Sequence, residues 1–561
     1  MAIRTPEIRN QQTLLPELIS ERVEKGPHAA RFFLYLAKTL KLNMQKIPIL
    51  GSPPYCRNTL MASIFYAMYN ERYESQQIIR FLEDSIGAQW ILCGMKIPSY
   101  KTIERVINDL LMETENFSIQ IIELCDTFEL IGGERVYIDG TKKQANASKH
   151  KAMSYGHLNK KINNSKETLK TLFTELRCMM DGIEEMTDEE IETLVMKDAI
   201  QTRTELNKSH QQDLAENQKR IFNVDIETET PKNKETATEK LKSKLDCINK
   251  VEPESQDKAV EMLSDIAFTN SRLERMTAAK KTLEEKWEEE HGNTKIPDKR
   301  QINFTDPDSG IMQTKHHGVQ QCYNHFAIID AKANIILGTH TSNNSSDQLG
   351  LKPAIENTER TYGSLAGIAL GGDAGFFSAS NILYTAEKEI DFYASYPEAK
   401  SPYAKDKFIY NEQTDVYTCP NGNILSLQSR SKEGDKSKYS NEQACLRCPN
   451  SKDCAKAKDG VRRIERDMVD DKLRESAKEK AQSQTGKDIL KQRKSVPEPV
   501  FGNMKTQDGF TQMHFRGIEK AGFEFDLRCA FQNIRKLFKV YINSESFQIT
   551  VHSREAYKRS A

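Results

Sequence analysis

A chain of 561 residues has room for roughly three or four domains of ordinary size. Its apolar share of 37% supports real cores but lies below the globular average, and its charged share of 29% lies slightly above it, which points to solvated helices or linkers beside compact domains. The formal net charge is zero, so any nucleic-acid surface must come from local basic clusters rather than from a global field. No apolar run approaches the ~18 residues of a membrane span, and MAIRTPEIRNQQ lacks the apolar core of a secretory signal. Eleven cysteines without such a signal predict a reducing, cytoplasmic setting, where thiols pack as small hydrophobes or bind metal. Seven of them (Cys56, Cys93, Cys125, Cys178, Cys247, Cys322 and Cys529) are scattered, most among apolar neighbours, and read as packing residues.

Residues 1–130 read as an N-terminal helical domain, with helical-period stretches and short breaks from 28 to 130. Pro98-Ser99 opens a helix that turns Ile103, Val106 and Leu110 inward, with Ser99 as its N-cap. Lys101 and Arg105, four apart, fall on its more exposed face. Short helices ending in a basic one suit a helix-turn-helix-like DNA reader, and equally a plain bundle with a solvated basic face.

Residues 131–149 carry a strand in RVYIDGTKKQAN, where Val136, Tyr137 and Ile138 run into Asp139 and Gly140. Asp-Gly is a common turn dipeptide, so Asp139 is either a strand-end cap or an acid held by a rigid sheet. Residues 150–300 change character. Leu169, Leu172, Phe173 and Leu176, then Ile266, Leu273, Met276, Leu283 and Trp287, form helical stripes on either side of the polar ETETPKNKETATEK. That pattern predicts a helical hairpin or coiled-coil arm inserted into another domain.

Over 301–400 the period becomes two. YNHFAIIDA and NIILGTHTS are adjacent strands broken at Lys332-Ala333-Asn334, followed by a helix, the strand of LAGIALGGDAGF, a second helix and the strand of DFYASYP. The order predicts a mixed α/β sheet. Asp373 in GIALGGDAG repeats the grammar of Asp139, an apolar strand running into an aspartate. The crevice beyond strand ends is where open α/β sheets bind ligands, and converging aspartates there suit Mg²⁺ or Mn²⁺. Glu498 in QRKSVPEPVFGNMKTQDGF is the candidate third acid, beside the basic Arg493, Lys494 and Lys505. Two metal ions about 4 Å apart held by such acids can activate water and stabilise the leaving 3′ oxygen of a phosphodiester. Taken singly, each acid also reads as an element cap. His316, His317, His325 and His340 cluster in sequence without a ligand spacing of their own.

Residues 401–485 form a second insertion. Cys419, Cys445, Cys448 and Cys454, with one Cys-x2-Cys knuckle, have the makings of a tetrahedral zinc site in a segment too polar to build a core of its own. Four thiolates leave zinc no open position, so the site would be structural; the other reading is a set of reduced surface thiols. Residues 486–545 read as the C-terminal helices of the α/β domain, and 546–561 as a tail.

IDGTKKQANASK, FTDPDSGIMQTK with CYNHFAIIDA, GGDAGFFSASNI, and VPEPVFGNMKTQDGFTQMHFRGIEKAGFEFDLRCAFQNIRKLF together resemble the DDE transposases of bacterial insertion sequences. The resemblance covers most of the chain. It implies an RNase-H-like mixed sheet carrying an N-terminal helical domain, a helical arm after the first aspartate and a Cys-rich insertion before the glutamate. It implies Asp139, Asp373 and Glu498 as the catalytic triad and as the ligands of two Mg²⁺ or Mn²⁺ ions. It implies DNA as the partner, both terminal inverted repeats and target, a homodimer in the transposition complex, and a bacterial cytoplasmic setting. Lys505, seven positions after Glu498, matches the family's glutamate-to-lysine spacing; Arg493, Lys494 and Arg516 join it as DNA-contact candidates, with Lys101 and Arg105 from the N-terminal helices. The family's arginine four residues before the glutamate is Lys494 here, and its upstream tyrosine is absent from ILKQRKS. Pro497 requires any helix bearing Glu498 to start at that point.

A phosphatase of the haloacid dehalogenase type, suggested by Asp139-Gly140-Thr141, needs a nucleophilic aspartate where this chain has Tyr137. A DNA-binding derivative without chemistry, and a nuclease without strand transfer, are the remaining alternatives to a transposase.

Overall fold

The computed structural model describes Val23 and residues 28–43, 55–179, 256–314, 318–396, 400–432, 435–506 and 509–543. They fall into two compact units: residues up to Asn146 together with those from Asp308 on, and residues Ala147–Pro307.

The first unit opens with helices α1 (Ala29–Thr39), α2 (Arg57–Tyr69), α3 (Ser75–Asp84), α4 (Ile86–Leu92), α5 (Tyr100–Met112) and α6 (Thr114–Thr127). Their starts follow capping chemistry: His28, Ser85 and Ser99 each accept from a first-turn N–H. In α5 Ile103, Val106 and Leu110 are buried and Lys101 and Arg105 exposed. Strand β1 follows (Arg135–Gln144).

The second unit contains strand β2 (Ala152–Ser154), helices α7 (Tyr155–Met179) and α8 (Gln256–His291), and strand β3 (Gln301–Asn303), which pairs antiparallel with β2. Leu158 and Ile162 of α7 meet Met276, Ala279 and Leu283 of α8 and Ile302 and Phe304 in a small core of their own. The stripes read from the sequence supply the buried Leu169, Phe173, Leu176, Ile266, Met276 and Leu283. Residues 180–255, including ETETPKNKETATEK and Cys247, lie outside the described residues, as do His316, His317 and the tail.

The first unit resumes with β4 (Gly310–Thr314), β5 (Gly318–Asp330) and β6 (Ile336–Ser342), then α9 (Leu351–Thr361), β7 (Ala369–Gly372), α10 (Ala379–Glu387) and β8 (Asp391–Ala394). The sheet runs β4-β5-β1-β7-β8, with β6 also on β5. β1 is antiparallel to β5 and parallel to β7, and β7 is parallel to β8. In chain order β1, β4, β5, β6, β7 and β8 are the six strands of this mixed sheet, β1 lying between the antiparallel β5 and the parallel β7, with α9 and α10 as crossovers. Asp330 pins the β5–β6 hairpin by accepting from Gly132, Gly133 and Lys332 N–H groups at 2.9–3.0 Å.

Between β8 and the last helices stand β9 (Ile409–Asn411), β10 (Val416–Thr418), β11 (Ile424–Arg430), β12 (Lys436–Ser440), the short helices α11 (Glu442–Leu446) and α12 (Ser451–Cys454), and β13 (Arg463–Asp467). The strands form an antiparallel sheet in the order β13-β12-β11-β10-β9. The sequence reading of a segment too polar for its own core is corrected here. Phe408, Tyr417, Leu425, Tyr439 and Ile464 are buried together. The Tyr410 and Tyr439 hydroxyls both donate to Asp415, at 2.8 and 2.5 Å, and these bonds together with Arg430 hold its carboxyl below the usual range.

The chain ends in α13 (Asp470–Gln482), α14 (Gln484–Gln492), α15 (Pro497–Thr506) and α16 (Ile518–Asn543). Phe531 of α16 packs edge-on against Phe65 and tilted against Phe117, ring centres 6.0–6.1 Å apart, and Phe538 lies tilted 5.3 Å from Phe32. The N-terminal helices and α16 therefore bury their aromatic faces in one core with Val136, Ile138 and Leu370 of the sheet. Among the described residues no helix is long and apolar enough to cross a membrane.

One expected boundary moves. The Asp139-Gly140 pair is not a strand end: β1 continues to Gln144 because the thirteen-residue β5 pairs with it as far as Cys322. Burial alternates on past the aspartate, with Thr141 and Lys143 inside.

Candidate active site

Alternation along β1 puts Tyr137, Asp139, Thr141 and Lys143 on one face of the sheet. Tyr137 stands opposite Gly371 of β7, where a Cβ would lie 2.5 Å from the tyrosine ring; the bare glycine leaves room for it. The Tyr137 hydroxyl, so placed, meets the Ile489 carbonyl at 3.1 Å and Gln492 at 3.2 Å, docking α14 on the sheet. Two residues beyond this pair come Asp139, still within β1, and Asp373, the first residue after β7.

Each aspartate is oriented by a local N–H. Asp139 Oδ1 accepts from Gly140 and Asp373 Oδ1 from Gly375, both at 2.8 Å. Asp373 caps the turn Ala374–Phe376 that follows β7. Burial drives the Asp139 carboxyl up to about 6 from an ordinary 3.8; the Gly140 N–H pulls it down, the Asp373 charge pushes it up, Arg493 pulls it down, and Asp347 pushes it up. Asp139 and Asp373 thus share an electrostatic site with Arg493, which stands half-buried in the turn Arg493–Ser495 after α14.

Asp347 was not singled out by the sequence. It lies in the polar run TSNNSSDQLG, where an acid before a helix reads as a cap, and it opens the turn Asp347–Gly350 between β6 and α9. Its Oδ1 accepts from Asn324 Nδ2 at 2.8 Å.

Glu498 lies in the first turn of α15, which starts at Pro497, and its side chain is exposed. Lys494 and Lys505 are also exposed, the latter in the last turn of α15. Arg516 is exposed, with Nε donating to the Asn146 carbonyl at 2.9 Å. Among the described residues no three His, Cys, Asp or Glu side chains stand together as a ready-made metal cage. The structure brings Asp139 and Asp373 together and adds Asp347 and Arg493; it does not bring Glu498 into such a group.

The donor set nevertheless suits a hard divalent cation. Carboxylate oxygens dominate it, and one carboxyl is held in a protonation-prone state that a cation would relieve. The buried Asn324 Oδ1 has no hydrogen-bond partner. A Cβ on Gly375 would fill a cradle 2.9 Å from Asp373 Oδ1 and 3.0 Å from Asp347 Oδ2.

The end of β1 is tied to the segment following α15. Lys143, in the run Thr141-Lys142-Lys143-Gln144 beyond Asp139-Gly140, is 2% exposed. Its ammonium donates to the Phe510 carbonyl and sits 4.4 Å from the centre of the Phe510 ring. Gln144 donates to the Thr511 carbonyl at 3.3 Å and accepts from Met513 N–H at 2.8 Å; Asn146 donates to the His514 carbonyl at 2.7 Å. Buried Glu524 of α16 accepts from His514 at 2.7 Å and Arg528 at 3.0 Å, closing the clamp.

Cys419, Cys445, Cys448 and Cys454 line one small cavity of the β9–β13 module. Burial raises the Cys454 thiol above its ordinary range, and the other three cysteines act on it electrostatically in the same direction. Asn421 Nδ2 donates to Cys448 Sγ at 3.1 Å.

Residues 418–538 match the family model described as Transposase DDE domain, which supports the resemblance to a DDE transposase. The matched stretch holds the four cysteines, Glu498, Lys505 and Arg516; Asp139 and Asp373 lie before it. No curated protein and no solved structure matches the chain.

Proposed function

We propose that this protein is a transposase of an insertion sequence, which cuts DNA at the element's terminal inverted repeats and joins the freed 3′ ends to target DNA. The observation that carries the reading is that Asp139 of β1 and Asp373, just past the neighbouring parallel β7, act on one another electrostatically, each held by a glycine N–H. The strand order, with β1 central between the antiparallel β5 and the parallel β7, supports an RNase-H-like core. Bound Mg²⁺ or Mn²⁺, as a pair of ions, would supply the nucleophile's activation and charge stabilisation at the scissile phosphate. Asp139 and Asp373 would hold it, and Glu498, in the first turn of α15, would close on the site when DNA is bound. Arg493, half-buried beside Asp139, is suited to the phosphate next to the cut, while Lys494, Lys505, Arg516, Lys101 and Arg105 offer exposed charges for the backbone. Two chains, one at each end, would form the working complex. The four cysteines would hold a structural zinc, which would tie α11 and α12 to the β9–β13 sheet.

The test is cleavage and joining of labelled end-containing DNA. Asp139→Asn, Asp373→Asn and Glu498→Gln should each abolish both reactions while DNA binding persists. Full cleavage by any one of them would remove that residue from the triad. Cleavage without joining by the wild type would instead indicate a nuclease, and no cleavage at all a DNA-binding derivative.

A further inference from the structure

Glu498 is exposed where Asp139 and Asp373 are half-buried, so whatever holds its helix decides where it can reach. It stands in the first turn of α15, which packs on β1, the strand of Asp139. The chain on either side of α15 is tied to the Asp139 face of that strand. Before it, and two residues ahead of Asp139, the Tyr137 hydroxyl meets the Ile489 carbonyl at 3.1 Å and Gln492 Oε1 at 3.2 Å. After it, and four residues beyond Asp139, the Lys143 ammonium donates to the Phe510 carbonyl and lies over the Phe510 ring. Phe510 N–H in turn donates to the carbonyl of Met504 in α15 at 3.0 Å, and Met504 is fully buried.

The lengths agree. At ~3.3 Å per residue of strand, Tyr137 and Lys143 stand about 20 Å apart. The ten residues of α15 span about 15 Å. The helix therefore lies along β1, its first turn towards Tyr137 and Asp139 and its last towards Lys143. Thr141, on the same face between Asp139 and Lys143, is 4% exposed, as a covered strand requires. Arg493, whose charge acts on Asp139, follows directly after the first tie, at the end where the turn of Glu498 begins. Phenylalanine at 137 and methionine at 143 would fill the same space without either bond, and without burying an ammonium.

We propose that Tyr137 and Lys143 are positioning residues for the cleavage reaction: they pin α15 at both ends along the Asp139 strand and so hold Glu498 at the Asp139 end of it. The inference rests on the reading of Asp139 and Glu498 as acids of one catalytic site. With its helix pinned, Glu498 joins that site by turning its side chain, and α15 need not move.

The experiment makes two measurements on the full-length chain. Hydrogen–deuterium exchange in EDTA, without DNA, reads the pins themselves. Cleavage of end-containing DNA in Mg²⁺, with kcat and KM separated, reads their effect. Tyr137→Phe and Lys143→Met should each speed exchange over residues 498–506 by about tenfold, while the α16 core around Phe531 keeps its protection. Each should lower kcat by about tenfold to a hundredfold at an unchanged KM for DNA. Faster exchange with a wild-type kcat would make the two ties structural only and overturns the proposal. Unchanged exchange over α15 also overturns it, as does a kcat loss that vanishes once activity is scaled to the folded fraction from thermal melts. Glu498→Gln is the control: full cleavage by that variant, or none by the wild type, overturns the triad reading beneath, and the proposal with it.

Discussion

Replacing Asp139 by asparagine should stabilise the metal-free protein, in a way that depends on pH. The folded carboxyl titrates near 6 against an ordinary 3.8, chiefly through burial, with Asp373 and Asp347 adding to it. Below pH ~4 the carboxyl is protonated whether folded or not, so wild type and Asp139→Asn should be equally stable in this respect. As pH rises from 3.8 towards 6, the unfolded chain loses its proton first, and the wild type loses stability relative to the variant. Above about pH 6 the gap is constant. At about 1.4 kcal/mol per unit the shift corresponds to about 3 kcal/mol, and solvent reaching a half-buried group lowers the expectation to about 1–3 kcal/mol. Asparagine keeps an oxygen for the Gly140 N–H, so the local hydrogen bond survives. Urea denaturation in EDTA at pH 4, 6 and 8 reads the gap directly. A variant less stable than wild type at pH 8, or a gap independent of pH, would refute the reasoning. Added Mg²⁺ should narrow the gap by stabilising only the wild type.

Lys143→Ala should destabilise the fold by about 2–4 kcal/mol, because it empties a packed site and leaves the Phe510 carbonyl without its donor; Lys143→Met should lose less, and urea midpoints separate the two. Gly338→Ala would set a Cβ 2.6 Å from the Thr358 Cα and push α9 off the sheet, at a cost of about 1–3 kcal/mol in the same assay. His325 is buried against Phe525 and held down to about 3, so it opposes unfolding above pH 6.5 and loses that contribution as pH falls from 6.5 towards 3. His325→Phe should therefore flatten the acid limb of the stability profile, and an unchanged limb would count against the histidine. Reduced protein should contain stoichiometric zinc, lost together with thermal stability in Cys448→Ser; elemental analysis finding none would remove the zinc site.

What the sequence disclosed depended on how local each signal is. Asp139 and Asp373 stand out because an apolar run ending on an acid is written in consecutive residues, and helices α7 and α8 because their stripes repeat over many turns. The length of β1 does not, because Asp139-Gly140 has turn chemistry and only the pairing with β5 carries the strand past it. The burial of Lys143 was hidden for the same reason: its carbonyl and ring partner lies 367 residues away. The core of the Cys-rich module comes from single aromatics on separate short strands, such as Tyr417 and Tyr439, and no window of sequence shows them together. Asp347 was not singled out, because it stands in the polar run TSNNSSDQLG and its amide partner Asn324 lies on a separate strand. Glu498 shows the reverse case, a residue readable from a motif whose side chain remains exposed outside the acid group.

The most direct test of the central claim, that Asp139 and Asp373 hold a divalent cation, is an anomalous-scattering map from crystals of the protein grown with Mn²⁺. The account predicts a manganese peak within coordination distance of both carboxylates. Ordered Asp139 and Asp373 with no peak between them, or manganese bound only elsewhere, would contradict it.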